Sequence, residues 1–245
     1  MKYFSLAIIL CTLFCYGKCN TSQQKKPLNG EAKKIYTYGK GTPDGIHKYY
    51  EGREIAHMMG PGGIDWLNRS DREEEENVTR AIDSMKLKPN MVVADIGAGS
   101  GYYSFKMAKK VNKGKVYAVE VQDEMIEALK DEKQKLKDQV VEVIKGDSIS
   151  VKLPDASVDL AIMVDVYHEL ENPQEILQSL KKALKPDGKI LLIEYKGEVP
   201  SIPIKALHKM TVVQADKEML ANGFKPFYKG EFLPIQHFLM YEAIK

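Results

Sequence analysis

The chain has 245 residues, of which 44% are hydrophobic and 29% charged, enough to bury the core of one α/β domain plus a small addition. With 36 basic and 34 acidic side chains the formal charge is +2, and loss of Lys2 and Lys18 with a leader would leave 34 of each. That balance excludes the basic footprint nucleic-acid binding needs, so no nucleic-acid partner is expected.

Residues 1–19 read as a signal peptide or lipoprotein signal. Lys2 is a short positive region, and Tyr3 to Gly17 is an apolar run. As a helix that run reaches about 22 Å, short of the roughly 30 Å bilayer core. Export to the periplasm or cell surface is expected. All three cysteines, Cys11, Cys15 and Cys19, lie here, so the rest of the chain has no disulfide and no cysteine metal site. Cys19 precedes a polar tether that resembles the one after a lipidated cysteine, giving a possible membrane tether. Lys18 departs from that pattern, and simple cleavage stays open. If the run is instead kept as an anchor, Lys18, Lys25, Lys26, Lys33 and Lys34 would hold the following domain in the cytosol.

Residues 20–45, rich in Lys, Gln, Gly, Thr and Pro, are expected to be a linker. Residues 46–87 are expected to form a small helical appendage or lid. Tyr49, Tyr50, Ile55 and Met58 have helix-like spacing up to Gly60-Pro61-Gly62-Gly63. Ser70-Asp71-Arg72-Glu73 reads as a capping box opening a helix through Val78, Ala81, Ile82 and Met85.

From residue 88 to 245 strand and helix alternate. Strands are expected over Met91–Ile96, Lys115–Glu120, Val140–Ile144, Val158–Val164 and Ile190–Glu194. Helices are expected over Tyr103–Lys110, Glu124–Lys137, Pro173–Leu184 and Ala206–Ala221, with Lys185-Pro186-Asp187-Gly188 as a turn. Two aromatic-rich strands near 224–232 and 236–243 close the chain. Buried strands alternating with helices imply a mostly parallel, doubly wound, Rossmann-like sheet, with an antiparallel C-terminal hairpin at its edge.

The chemistry concentrates in Val92-Val93-Ala94-Asp95-Ile96-Gly97-Ala98-Gly99-Ser100-Gly101. A buried strand runs into a glycine turn at a helix N-terminus, where backbone can approach a ligand. Glu120 ends the next strand, where a carboxylate can accept both hydroxyls of a ribose. A dinucleotide fingerprint would place its third glycine where Tyr102 stands, and Asp95 suits an ammonium better than a pyrophosphate.

Asp95-x-Gly97-x-Gly99-x-Gly101 resembles motif I of class I S-adenosylmethionine-dependent methyltransferases. The resemblance implies a seven-stranded sheet and S-adenosyl-L-methionine as cofactor, with Asp95, Gly97, Ala98, Gly99 and Gly101 around it and Glu120 on its ribose. It further assigns Asp147 and Ser148 to the adenine, and Asp165 to the end of the fourth strand. The segments Tyr50-x-Gly52-Arg53 and Trp66-Leu67-x-Arg69 are similar to a narrower group of predicted bacterial methyltransferases, many with export signals. His168 and Tyr167, after the fourth strand, stand where a general base or an acceptor contact is expected. Tyr50, Arg53, Trp66 and Arg69 are candidates for a lid over a small-molecule acceptor. No metal is expected, because no His/Asp/Glu group shows ligand spacing. A non-catalytic ligand-binding domain of the same fold, and a nicotinamide oxidoreductase, are the competing readings.

Overall fold

The computed structural model describes residues 34–245; the expected leader with its cysteines lies outside them. The expected linker ends early. Strand β1 (Tyr36–Tyr38) falls inside it and pairs with β2 (Gly45–Tyr50), which pairs in turn with β3 (Arg53–Ala56). The appendage thus begins as an antiparallel meander and not as a helix. The helix-like spacing of Tyr49, Tyr50 and Ile55 is overridden by the turn between them. Glu51 and Gly52 sit at φ 48° and 93°, and Tyr50 pairs with Arg53. Two successive positive-φ residues make the primed turn that matches strand twist, so the chain folds back after Tyr50.

Helices follow: α1 (Ile64–Leu67), α2 (Arg72–Glu76) and α3 (Val78–Ser84). The expected capping box is absent. Asp71 occupies the N-cap of α2 without a side-chain bond, and Glu73 instead accepts from the Thr79 amide at 3.0 Å. Asn77, at φ 56°, breaks the single expected helix into α2 and α3. Asparagine tolerates that left-handed geometry better than most residues.

The rest alternates as the sequence implies: β4 (Val92–Ile96), α4 (Tyr102–Ala108), β5 (Lys115–Glu120), α5 (Asp123–Leu136), β6 (Val141–Lys145), β7 (Val158–Val164) and α6 (Pro173–Ala183). Then come β8 (Leu184–Tyr195), α7 (Val212–Ala221), β9 (Phe224–Gly230) and β10 (Gln236–Ala243). β8 runs through the expected turn at 185–188, with a register shift against β7. The expected helix from Ala206 is split into a 3-10 turn over Ala206–His208 and α7, which is capped by Thr211.

The seven strands lie in the order β6-β5-β4-β7-β8-β10-β9, parallel except for β10, which runs antiparallel to both neighbours. Alternate residues serve opposite faces. Ala94, Ile96, Val119, Ala161, Met163 and Leu192 pack with α6 and α7; Val93, Val116, Ala118, Ile162 and Leu191 pack with α3, α4 and α5. After β6 the chain crosses back to lay β7 beside β4. In doubly wound sheets that reversal opens a crevice beyond the strand C-termini, and ligands bind there.

Candidate functional site

A cavity of about 1070 Å³ occupies this crevice, its lining including Asp95 to Ser100, Glu120, Asp147, Ser148, Asp165 and His168. Its size is at the top of the range for small-molecule sites, about 300–1,000 Å³.

The turn after β4 is held by strand β5. Gly97 and Ala98 donate their amides to the Val119 carbonyl at 2.9 and 3.1 Å, and Gly99 donates to Glu120 Oε2 at 2.9 Å. Gly97 is at φ 68°, and a Cβ there would stand 2.7 Å from both Val166 methyls, so only glycine fits. These amides are spent within the protein.

Asp95 is buried and accepts from Ser104 Oγ at 2.6 Å; burial pushes its carboxyl up to about 6. Glu120 Oε1 accepts from the Val121 and Gln122 amides at 2.7 and 3.0 Å. Asp147 closes its own turn by accepting from the Ile149 amide at 3.0 Å and pairs with Lys152 at 2.8 Å. Lys152 holds its carboxyl below the usual range. Asp165, at φ 53°, accepts from Gln236 Nε2 at 2.7 Å. Its Oδ1 is buried without a protein partner among the described residues. Burial and the nearby Glu76 and Glu194 carboxylates push Asp165 well above the usual carboxylate range.

Beyond β7 a 3-10 turn over Tyr167–Glu169 places His168 and Glu169 on the cavity. His168 Nδ1 meets Glu194 Oε2 at 2.7 Å, and Nε2 meets His208 Nδ1 at 3.0 Å. A carboxylate on Nδ1 fixes the proton there, so the Nε2 lone pair accepts from His208 Nδ1. Glu169 accepts from the Met59 amide at 3.0 Å, and burial pushes it up to about 7. Burial, together with the facing His168, brings His208 down to about 4.

Several expected residues lie elsewhere. Gly101 does not line the cavity; a Cβ on it would meet Phe105 and Leu129 at 2.5 and 2.7 Å, so it makes room for packing. Tyr167 is fully buried in the core and also off the lining. Of the lid candidates only Trp66 lines the cavity. Tyr50 is buried and accepts from Asn222 at 2.6 Å. Arg53 pairs with Glu218 at 2.7 and 2.9 Å and donates to the His168 carbonyl at 2.8 Å. Arg69 pairs with Glu75 and Glu76 at 2.6 and 2.7 Å and stacks on Trp66. Arg53 and Arg69 therefore support the walls.

The fold also assembles a His/Glu group that spacing along the sequence does not show. His168, Glu169 and His208 bring one ligand atom each within 4.8 Å of one another. His208 lies 40 residues from His168 in sequence, so spacing could not reveal it. His57, Met58, Met59, Pro203, Ile204 and Lys205 complete this end of the cavity and carried no motif.

A methyltransferase-domain family model matches residues 87–237. A SAM-dependent methyltransferase structure from Aquifex aeolicus is 28% identical, with a TM-score of 0.72, covering 76% of this chain and 100% of its own. The ubiquinone/menaquinone biosynthesis C-methyltransferase UbiE of Shewanella sediminis is 27% identical over 119 residues, 46% of each chain. An (S)-coclaurine N-methyltransferase of Thalictrum flavum is 27% identical over 110 residues, 45% of this chain and 30% of its own. The chain thus spans less than half the length of either curated relative.

Proposed function

The chain belongs to the methyltransferase-domain family, and on that premise we propose that it is an S-adenosylmethionine-dependent methyltransferase acting on a small-molecule acceptor. One observation carries the reading: Asp95 and Glu120 bring two buried carboxylates to a glycine turn whose amides are already spent on β5. Such a turn suits a ligand with an ammonium and a ribose better than one with a pyrophosphate.

S-adenosylmethionine, when bound, supplies an electrophilic methyl group on sulfur. The chain's part is positioning and proton transfer. Asp95 pairs with the ammonium, and Glu120 accepts from a ribose hydroxyl through the Oε2 lone pair that its three amide donors leave over. Asp147 and Ser148 border the adenine, and the buried Asp165 oxygen is left for the ligand. In the metal-free protein His168, backed by Glu194 at Nδ1, is the candidate base, provided the acceptor displaces His208 from Nε2. The apolar rim of Met58, Met59, Trp66, Pro203 and Ile204 favours a small acceptor with an apolar body.

Calorimetry with S-adenosylmethionine, its demethylated product and NAD tests the proposal. Binding of the first two but not the third is expected. Binding of NAD alone would overturn the assignment, and donor binding without turnover on any acceptor would favour the non-catalytic reading.

A further inference from the structure

The end of the cavity beneath β3 holds a polar cluster that the donor does not need. β3 packs against both 3-10 turns, the one carrying His168 and Glu169 and the one carrying His208. His168 Nε2 and His208 Nδ1 are 3.0 Å apart, and Glu169 Oε2 is 4.0 Å from His168 Nε2. In tetrahedral coordination, bonds of about 2.0–2.2 Å hold neighbouring ligand atoms roughly 3.3–3.6 Å apart. The two nitrogens are within a few tenths of an ångström of that spacing, and Glu169, whose ligand atom lies within 4.8 Å of both, reaches it by a side-chain adjustment of about 1.5 Å or less.

The support behind these atoms is what a metal site requires. Glu194, fully buried, accepts from His168 Nδ1 at 2.7 Å and is itself fixed by the Tyr167 amide at 2.8 Å. A carboxylate behind an imidazole sets the tautomer and raises the basicity of the outward nitrogen. Glu169 is oriented by the Met59 amide. The rings of His168 and His208 meet edge-on, with centroids 4.9 Å apart, which brings their facing nitrogens together at the cavity.

We propose that His168, Glu169 and His208 bind a divalent first-row transition cation of the Zn²⁺ type, with its remaining coordination positions open to the cavity. Two imidazoles and one carboxylate suit such a cation and not calcium or magnesium, which prefer all-oxygen ligands. One consequence rests on the methyl-transfer reading. The cation would take an acceptor that presents an oxygen or sulfur atom, lower its pKa and let its proton pass to solvent. His168 then holds the metal, and no lone pair is left on Nε2 to act as base.

The test uses the full chain, stripped with chelator and titrated with Zn²⁺ by calorimetry and with Co²⁺ by absorption. Because Cys11, Cys15 and Cys19 can also take these ions, the readout is the component lost in His208→Ala. His208 is only half-buried, and a thermal melt checks that the variant folds. One cation per chain is expected in that component, weakened about 100-fold or more by His208→Ala and by Glu169→Gln, and about 10- to 100-fold by Glu194→Gln. Affinity for S-adenosylhomocysteine should stay unchanged in His208→Ala. Metal binding that is absent, or equal in wild type and His208→Ala, overturns the site. Stoichiometric metal binding with no binding of S-adenosylhomocysteine would sink the donor reading and leave the cation site standing.

Discussion

Asp95 is the residue whose chemistry the ligand should change most. Burial raises its carboxyl to about 6, so protonation stabilises the free protein. That contribution is complete below about pH 4 and is lost as pH rises through about 6. The donor's ammonium needs the opposite state. Donor affinity should therefore rise about tenfold per pH unit up to about pH 6 and level off above it. Calorimetry from pH 5 to 7.5 checks this, and a flat profile would remove Asp95 as the ammonium partner. Glu120 serves ligand and fold together. Three backbone amides donate to it, so Glu120→Ala strands three donors in addition to losing the ribose contact. Donor affinity should fall about 10- to 100-fold, at roughly 1.5–3 kcal/mol per charge-assisted bond. The melting temperature should also drop by roughly 10 °C or more, since each of the three stranded donors costs about 1–3 kcal/mol. A variant that melts like wild type would mean those amides find other partners.

At the scale of elements, the meander β1–β3 is tied to the domain by Arg53 and Glu218, whose side chains are 9% and 0% exposed. Removing one member of a buried pair leaves an uncompensated charge and costs about 3–5 kcal/mol. Arg53→Met should therefore lower the melting temperature by roughly 10 °C, and adding Glu218→Leu should restore much of it. Thermal melts of both variants decide; a double variant no better than the single would mean that more than the stranded charge is at stake. This meander is also where the sequence misleads. The sheet from β4 to β10 was legible because its strands are apolar and its glycine turn is flanked by carboxylates. The meander was not, because Glu51-Gly52 is an unusual primed turn and the spacing around it is equally helical. The donor half of the site follows from local motifs such as Asp95 to Gly101. The half around His208 and Met59 depends on contacts between distant segments, which periodicity does not encode.

At the scale of the whole molecule, location and chemistry pull in different directions. Among the described residues no helix is long and apolar enough to cross a membrane. We propose export, with residues 1–19 as the signal. Protease added to spheroplasts should then digest the domain while the inner membrane is intact. Survival until that membrane is broken would favour an anchored domain facing the cytosol, where methyl donors are made.

The bond between Arg53 and Glu218 spans 165 residues, and that separation sets an order of events during synthesis. At about 5–20 residues per second the ribosome presents the meander roughly 10–30 s before the helix that neutralises it. Until then Arg53 has no buried partner and the apolar face of β3 nothing to cover. The native cavity, whose lining runs to His208, can close only after most of the chain has emerged.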